Sequence, residues 1–204
     1  MQGRFAQFAE NREGLFSGHW INPANFLTAL RAILSIPIVL LLLYPPKKVN
    51  NVMNWELIAG LIFIFAALTD KLDGYYARKN DLVTRLGQFL DPLADKILML
   101  PVMIVLWHLR LMPLWVVLVV IAREIMVSVI RFIGIRNRIS FPASFSGKIK
   151  MFSQVVVVSA LIFFPQNAHD PLLETLVYLM ASITIISGVD YAMRAKREIF
   201  KKDL

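Results

Sequence analysis

At 204 residues the chain has the length of a single domain, and its 57% hydrophobic content falls in long blocks, which points to membrane-spanning helices and away from a soluble core. It contains no cysteine, which excludes disulfides and thiolate metal sites. The net charge of +8 is carried by basic residues beside apolar blocks, an arrangement that suits anionic lipid head groups better than nucleic acid.

Residues 1–20 mix Phe5, Phe8, Leu15, Phe16 and Trp20 with Arg4, Arg12, Glu10 and Glu13, and hold no apolar run of signal-peptide length. They are expected to form a cytoplasmic juxtamembrane segment, as an amphipathic helix on the membrane surface or as a disordered tail. Residues 21–204 are expected to form the membrane domain. Its first span opens at Ile21, with Asn22, Asn25 and Thr28 able to cap a helix and Pro23 tolerated in the first turn, and stops at Pro45-Pro46. Arg31 lies inside it, close enough to the end to snorkel to the interface. The second span is mostly Trp55–Thr69. It leads into D-K-L-D-G-Y-Y-A-R-K-N-D-L-V-T-R-L-G-Q-F-L-D-P-L-A-D, Asp70 to Asp95.

Four carboxylates in that stretch, Asp70, Asp73, Asp91 and Asp95, stand between and partly inside two segments apolar enough to lie in a bilayer. Charge at membrane depth is costly, so its default reading is functional. Asp70 and Asp73 are three residues apart and Asp91 and Asp95 four, so on helices each pair shares a face. Two helices meeting there would bring four carboxylates together. They would repel one another unless hard divalent ions, which prefer oxygen ligands, sat between them. Gly74 and Ala77 leave the first helix without bulk beside the acids, and Arg78 is near enough to reach an anion on the metals; together these suggest a metal-bound diphosphate.

Asp70, Asp73, Gly74, Ala77, Arg78, Gly87, Asp91 and Asp95 match the signature D-x2-D-G-x2-A-R-x8-G-x3-D-x3-D without a gap, and here the chain resembles the CDP-alcohol phosphotransferases. The resemblance runs from about Asn22 to the sixth span. It implies that the four Asp bind two divalent ions, Mg²⁺ or Mn²⁺, against the diphosphate of CDP-diacylglycerol, and that Asp95 also accepts the proton of the attacking hydroxyl. It implies further that Gly74 and Ala77 let the nucleotide lie against the helix, with Arg78 on phosphate oxygens and Thr84 on the nucleotide. The opening N-P-x-N-x-L-T-x-x-R is similar to that of bacterial members, where the region helps to hold the cytidine nucleotide, which adds Asn22, Pro23 and Asn25 to the expected CDP-diacylglycerol site. A homodimer is also expected from the family.

The third span runs from Leu86 to Trp107, with Pro92 near its start and Pro101 inside it, where a kink is expected in place of a break. The fourth, Pro113 to about Ile135, carries Arg123-Glu124 mid-helix. The fifth begins after Gly147 and ends at Phe164-Pro165, and the sixth runs from Leu172 to about Tyr191. Arg123 invites two readings, an internal pair with an Asp or Glu124, or a shared anion site with Lys148 and Lys150, which could instead anchor the helix to lipid phosphates. Three cations beside a carboxylate–metal centre would suit an acceptor bearing its own phosphate. The A-R-E-I and G-K-x-K segments resemble the phosphatidylglycerophosphate-forming branch of the family, which joins sn-glycerol 3-phosphate to CDP-diacylglycerol and releases CMP. The usual Thr after the second lysine is here Met151.

The expected fold is therefore an all-α polytopic membrane protein of six transmembrane helices. Most of the 22 basic residues fall on the side of the termini; only Lys47, Lys48 and Arg110 fall on the other side, and Arg31, Lys96 and Arg123 lie within spans. By the positive-inside rule both termini and the Asp motif face the cytoplasm, in a bacterial inner membrane. Rival readings are the same chemistry on phosphatidylglycerol, as in a cardiolipin synthase, or on inositol phosphate. A cation-coupled transporter would instead distribute its carboxylates along a pathway.

Overall fold

A computed structural model describes the backbone of residues 23–45, 54–79, 85–136 and 145–202, and the side chains of 33–45, 54–69, 96–134 and 145–198. Among these residues there are six α-helices and no strands: α1 Pro23–Leu43, α2 Trp55–Lys79, α3 Arg85–His108, α4 Leu114–Arg136, α5 Phe145–Phe163 and α6 Pro171–Lys202, with a 3₁₀ turn at Pro165–Asn167 before α6. The expected segment 1–20 lies outside the described residues.

The helices follow the apolar blocks with instructive differences at their ends. α2 ends within the Asp motif, at Lys79, as expected. α3 runs unbroken through Pro92 and Pro101, as neighbouring helices permit. α6 continues roughly three turns past Tyr191. The continuation is amphipathic: Ala195 stays buried while Arg194 pairs with Asp190 one turn back at 2.8 Å, so the helix outlasts its apolar stretch. α5 and Pro171–Glu198 of α6 are each long and apolar enough to cross a membrane; Ile33–Leu43, Trp55–Thr69 and Lys96–His108 are shorter apolar stretches.

Side-chain contacts give the helix directions. Lys96 near the start of the described part of α3 reaches Ser128 late in α4, so these two are antiparallel. Trp115 stacks on Tyr178 with ring centroids 5.7 Å apart, and one face further along Arg123 reaches Ser187, so α4 and α6 are parallel. Ser146 at the start of α5 bonds Asp190 late in α6, so α5 and α6 are antiparallel. α1 packs chiefly on α2 and α3, α6 on α4 and α5, and α2 on α5, which joins the two halves. The core between them includes Ile38, Phe63, Met103, Leu106, Val120, Leu161 and Met180.

The α3–α4 turn closes by paired bonds from Arg110 N to Trp107 O and from Leu111 N to Leu106 O, both 2.8 Å, with Arg110 left-handed at φ 60°. This is a Schellman termination with arginine at the position that usually takes glycine. Between α2 and α5, Gly60 lets the backbones close up: a Cβ there would lie 2.5 Å from the Phe163 ring. Gly60→Val should therefore lower stability by about 1–3 kcal/mol through overpacking. Thermal unfolding should show part of that loss recovered in the pair with Phe163→Ala; equal losses in both backgrounds would rule the contact out as the cause.

Candidate active site

Helical register carries the buried face of two helices into the Asp motif. On α2 the stripe Ala59, Phe63 and Ala66 is fully buried, and the same periodicity continues through Asp70, Asp73 and Ala77. On α3, Leu98, Val102 and Val105 are buried, and stepping back along that stripe gives Asp95 and then Asp91. Both acid pairs thus occupy register positions on inward faces of helices that share α1 as a neighbour. The side chains of these four Asp, and of Pro23, Asn25, Gly74, Ala77 and Arg78, lie outside the described residues, as do Asn22 and Thr84 altogether.

One residue beyond Asp95, a described polar cluster begins. The Lys96 ammonium donates to the Ser128 hydroxyl and, at 3.4 Å, to the Glu124 carbonyl, which also accepts from Ser128 Oγ at 2.7 Å. The Glu124 carboxylate is the centre: its Oε1 accepts from Lys150 Nζ at 2.6 Å and from Arg123 Nη1 at 2.9 Å. Arg123 Nη2 donates to Ser187 Oγ on α6 at 3.1 Å. The three ionised side chains are only 10–15% exposed, so each needs the others to offset desolvation. Gly188 lets the arginine stem lie flat, since a Cβ there would come within 3.2 Å of Arg123 Cγ. The structure thus brings Arg123 and Lys150 together, and also makes the Arg123–Glu124 pair. Lys148, two residues away on α5, is exposed and outside this cluster. The Nε of Arg123 is buried with no acceptor among the described residues.

Lys96, Glu124, Ser128, Ser187 and Gln154 were not singled out by sequence. Glu124 was weighed only as a partner of Arg123. For Lys150 and Gln154 the available signal was their i, i+4 spacing on an otherwise apolar helix, where both fall on the stripe of Val157 and Leu161.

The described residues thus place a buried cationic cluster directly after the acid motif of α3, on a six-helix frame. The chain belongs to the CDP-alcohol phosphatidyltransferase family, whose model matches residues 21–188. It is 38% identical over 181 residues to a probable phosphatidylglycerophosphate synthase of Mycobacterium tuberculosis, covering 87% of this chain and 83% of that protein. The CDP-diacylglycerol–glycerol-3-phosphate 3-phosphatidyltransferase of Bacillus subtilis is 34% identical, over 83% of this chain and 93% of the relative. The enzyme of that name from Rickettsia typhi is 36% identical, over 86% and 97%. The family expected from the Asp motif is thus the family found.

Removing the central carboxylate leaves two cations without their shared partner. Glu124→Ala should cost about 3 kcal/mol in unfolding free energy. Lys150→Met in the same background should recover part of it; no recovery would mean that Lys150 does not depend on Glu124.

Proposed function

We propose that the protein transfers the phosphatidyl group of CDP-diacylglycerol to sn-glycerol 3-phosphate, giving phosphatidylglycerophosphate and CMP. The observation that carries this reading is that the inward acid stripe of α3 ends at Asp95 and the cationic cluster begins at Lys96, so a nucleotide diphosphate site and an acceptor phosphate site would adjoin. The relatives' names supply the same pair of substrates.

The reaction belongs at a membrane, and the outer surface of the bundle supports this. Large apolar side chains stand exposed on every helix, among them Leu40, Phe65, Trp107, Phe132, Phe152 and Ile186. An exposed apolar surface on this scale suits lipid and would be an aggregation hazard in water. Six spans with the Asp motif at the cytoplasmic face agree with the distribution of basic residues.

Asp70, Asp73, Asp91 and Asp95 form an all-oxygen, acidic donor set that fits hard divalent ions such as Mg²⁺ or Mn²⁺. When bound, two such ions would neutralise the diphosphate and stabilise charge on the oxygens of the transferring phosphorus. Arg78 would hold phosphate oxygens, while Gly74 and Ala77 leave room for the nucleotide that Asn22, Pro23, Asn25 and Thr84 help to grip. Arg123 and Lys150 would bind the acceptor phosphate, with Lys148 exposed near its entrance. The acceptor hydroxyl attacks the phosphorus carrying the diacylglycerol, its proton passes to Asp95, and the bond to CMP breaks.

Purified protein given CDP-diacylglycerol, Mg²⁺ and sn-glycerol 3-phosphate should release CMP and form phosphatidylglycerophosphate; a different lipid product, or none, would overturn the acceptor assignment. Asp95→Asn should reduce turnover by about a thousandfold, within the usual range for losing a general base. Full activity in that variant would remove Asp95 from proton transfer. EDTA should abolish CMP release, and its persistence would defeat the proposed metal requirement.

A further inference from the structure

Gln154 is 2% exposed, and its Nε2 is buried with no hydrogen-bond partner among the described residues. Most buried amides are paired, and replacing an orphaned one by an apolar side chain of similar shape would relieve the fold of a desolvation cost. An amide kept at such a place, unpaired among the described residues, points to a bound partner.

The position of Gln154 narrows what that partner is. It lies one turn beyond Lys150, about 6 Å along α5, and on the same buried stripe. Lys150 in turn is tied through Glu124 to Arg123, whose Nε also lacks an acceptor among the described residues. On the other side, Gly60 of α2 meets Phe163 of α5. Counting nine residues back along α5 from Phe163 reaches Gln154; a similar count forward along antiparallel α2 from Gly60 reaches Asp70. The amide therefore stands at the level at which the α2 stripe becomes acidic, one turn from the cationic cluster.

We infer that Gln154 is a further acceptor-binding residue, its Nε2–H donating to the middle hydroxyl of a three-carbon polyol phosphate. This rests on the acceptor reading above. In such a molecule the phosphate at one end would sit with Arg123 and Lys150, and the hydroxyl at the other end would face the acid stripe. The secondary hydroxyl then falls within about one turn of Lys150, in reach of the orphaned amide. A pocket built to bond a hydroxyl discriminates strongly against an analogue that lacks it, because the amide is then unpaired again.

The experiment compares sn-glycerol 3-phosphate with 3-hydroxypropyl phosphate, which keeps the phosphate and the attacking hydroxyl but lacks the middle one. The wild type should prefer the former by roughly tenfold in kcat/KM. In Gln154→Leu the preference should fall close to one, with the kcat/KM for 3-hydroxypropyl phosphate changed by less than about twofold and the Tm unchanged or higher. If the leucine variant does not fold, Gln154→Met, unbranched and of similar volume, carries the same comparison. Retention of the preference in the variant, or its absence in the wild type, overturns the inference about Gln154 alone. A lower Tm with the preference intact also overturns it, since the amide would then serve the fold through bound water. A wild type that uses neither acceptor while still binding CDP-diacylglycerol overturns the acceptor reading and this inference with it.

Discussion

The shared carboxylate oxygen of Glu124 fixes where α4, α5 and α6 stand with respect to one another. It receives Lys150 from α5 at 2.6 Å and Arg123 from its own helix at 2.9 Å, while the other arginine nitrogen reaches Ser187 on α6. None of these charges could lie so far from solvent alone; each is tolerated because the others are present. The same turn of α4 also binds α3, through Lys96 and the Glu124 carbonyl. Four helices are thus held in register at one level by polar bonds, whereas apolar packing alone would allow them to slide.

Packing elsewhere is arranged so that this level can form. Gly188 makes room for the stem of Arg123, since a Cβ there would come within 3.2 Å of its Cγ. At the opposite end of the bundle Gly60 accepts the Phe163 ring and draws α2 against α5. In the membrane setting proposed for the reaction, apolar side chains would gain little from leaving lipid, so small residues at close approaches and hydrogen bonds between helices would carry much of the association. The chain has both devices, at different heights. The first joins the halves of the bundle, and the second locks the half that bears the cations.

The order and type of the helices were legible in the sequence because apolar blocks of span length have few alternatives, and Pro101 fell inside one without ending it. The end of α6 was not, since a rule that counts apolar residues stops at Tyr191 while the helix continues on an amphipathic face. The acid motif stands out by its spacing, but its side chains lie outside the described residues, and only its helical register, continuous with the buried stripes of α2 and α3, is described. The partners of the cationic cluster were harder. Lys96 looks in sequence like an isolated charge next to an aspartate, and only the antiparallel pairing of α3 with α4 brings it to Ser128. Ser187 and Gln154 are single polar residues in apolar runs, and nothing in a one-dimensional pattern separates a residue that bonds its own helix from one that bonds across helices. Thr184, which bonds back to the Met180 carbonyl at 2.8 Å, is an example of the first kind three residues from Ser187.

The make-up of the cluster bears on its proposed role. Among the described residues Lys96, Arg123 and Lys150 gather around Glu124 in a part-buried volume, a setting that would suit the phosphate of the proposed acceptor. With no internal anion, the cations would repel one another and the helices that carry them would separate. With two internal anions, little attraction for a phosphate would remain. One carboxylate held by two cations lies between these extremes: the cluster stays assembled, and on the proposed function an incoming phosphate would find Arg123 and Lys150 already side by side. With their positions set before the acceptor arrives, less binding energy would be spent on ordering them, and the acceptor hydroxyl would be aimed from a fixed point.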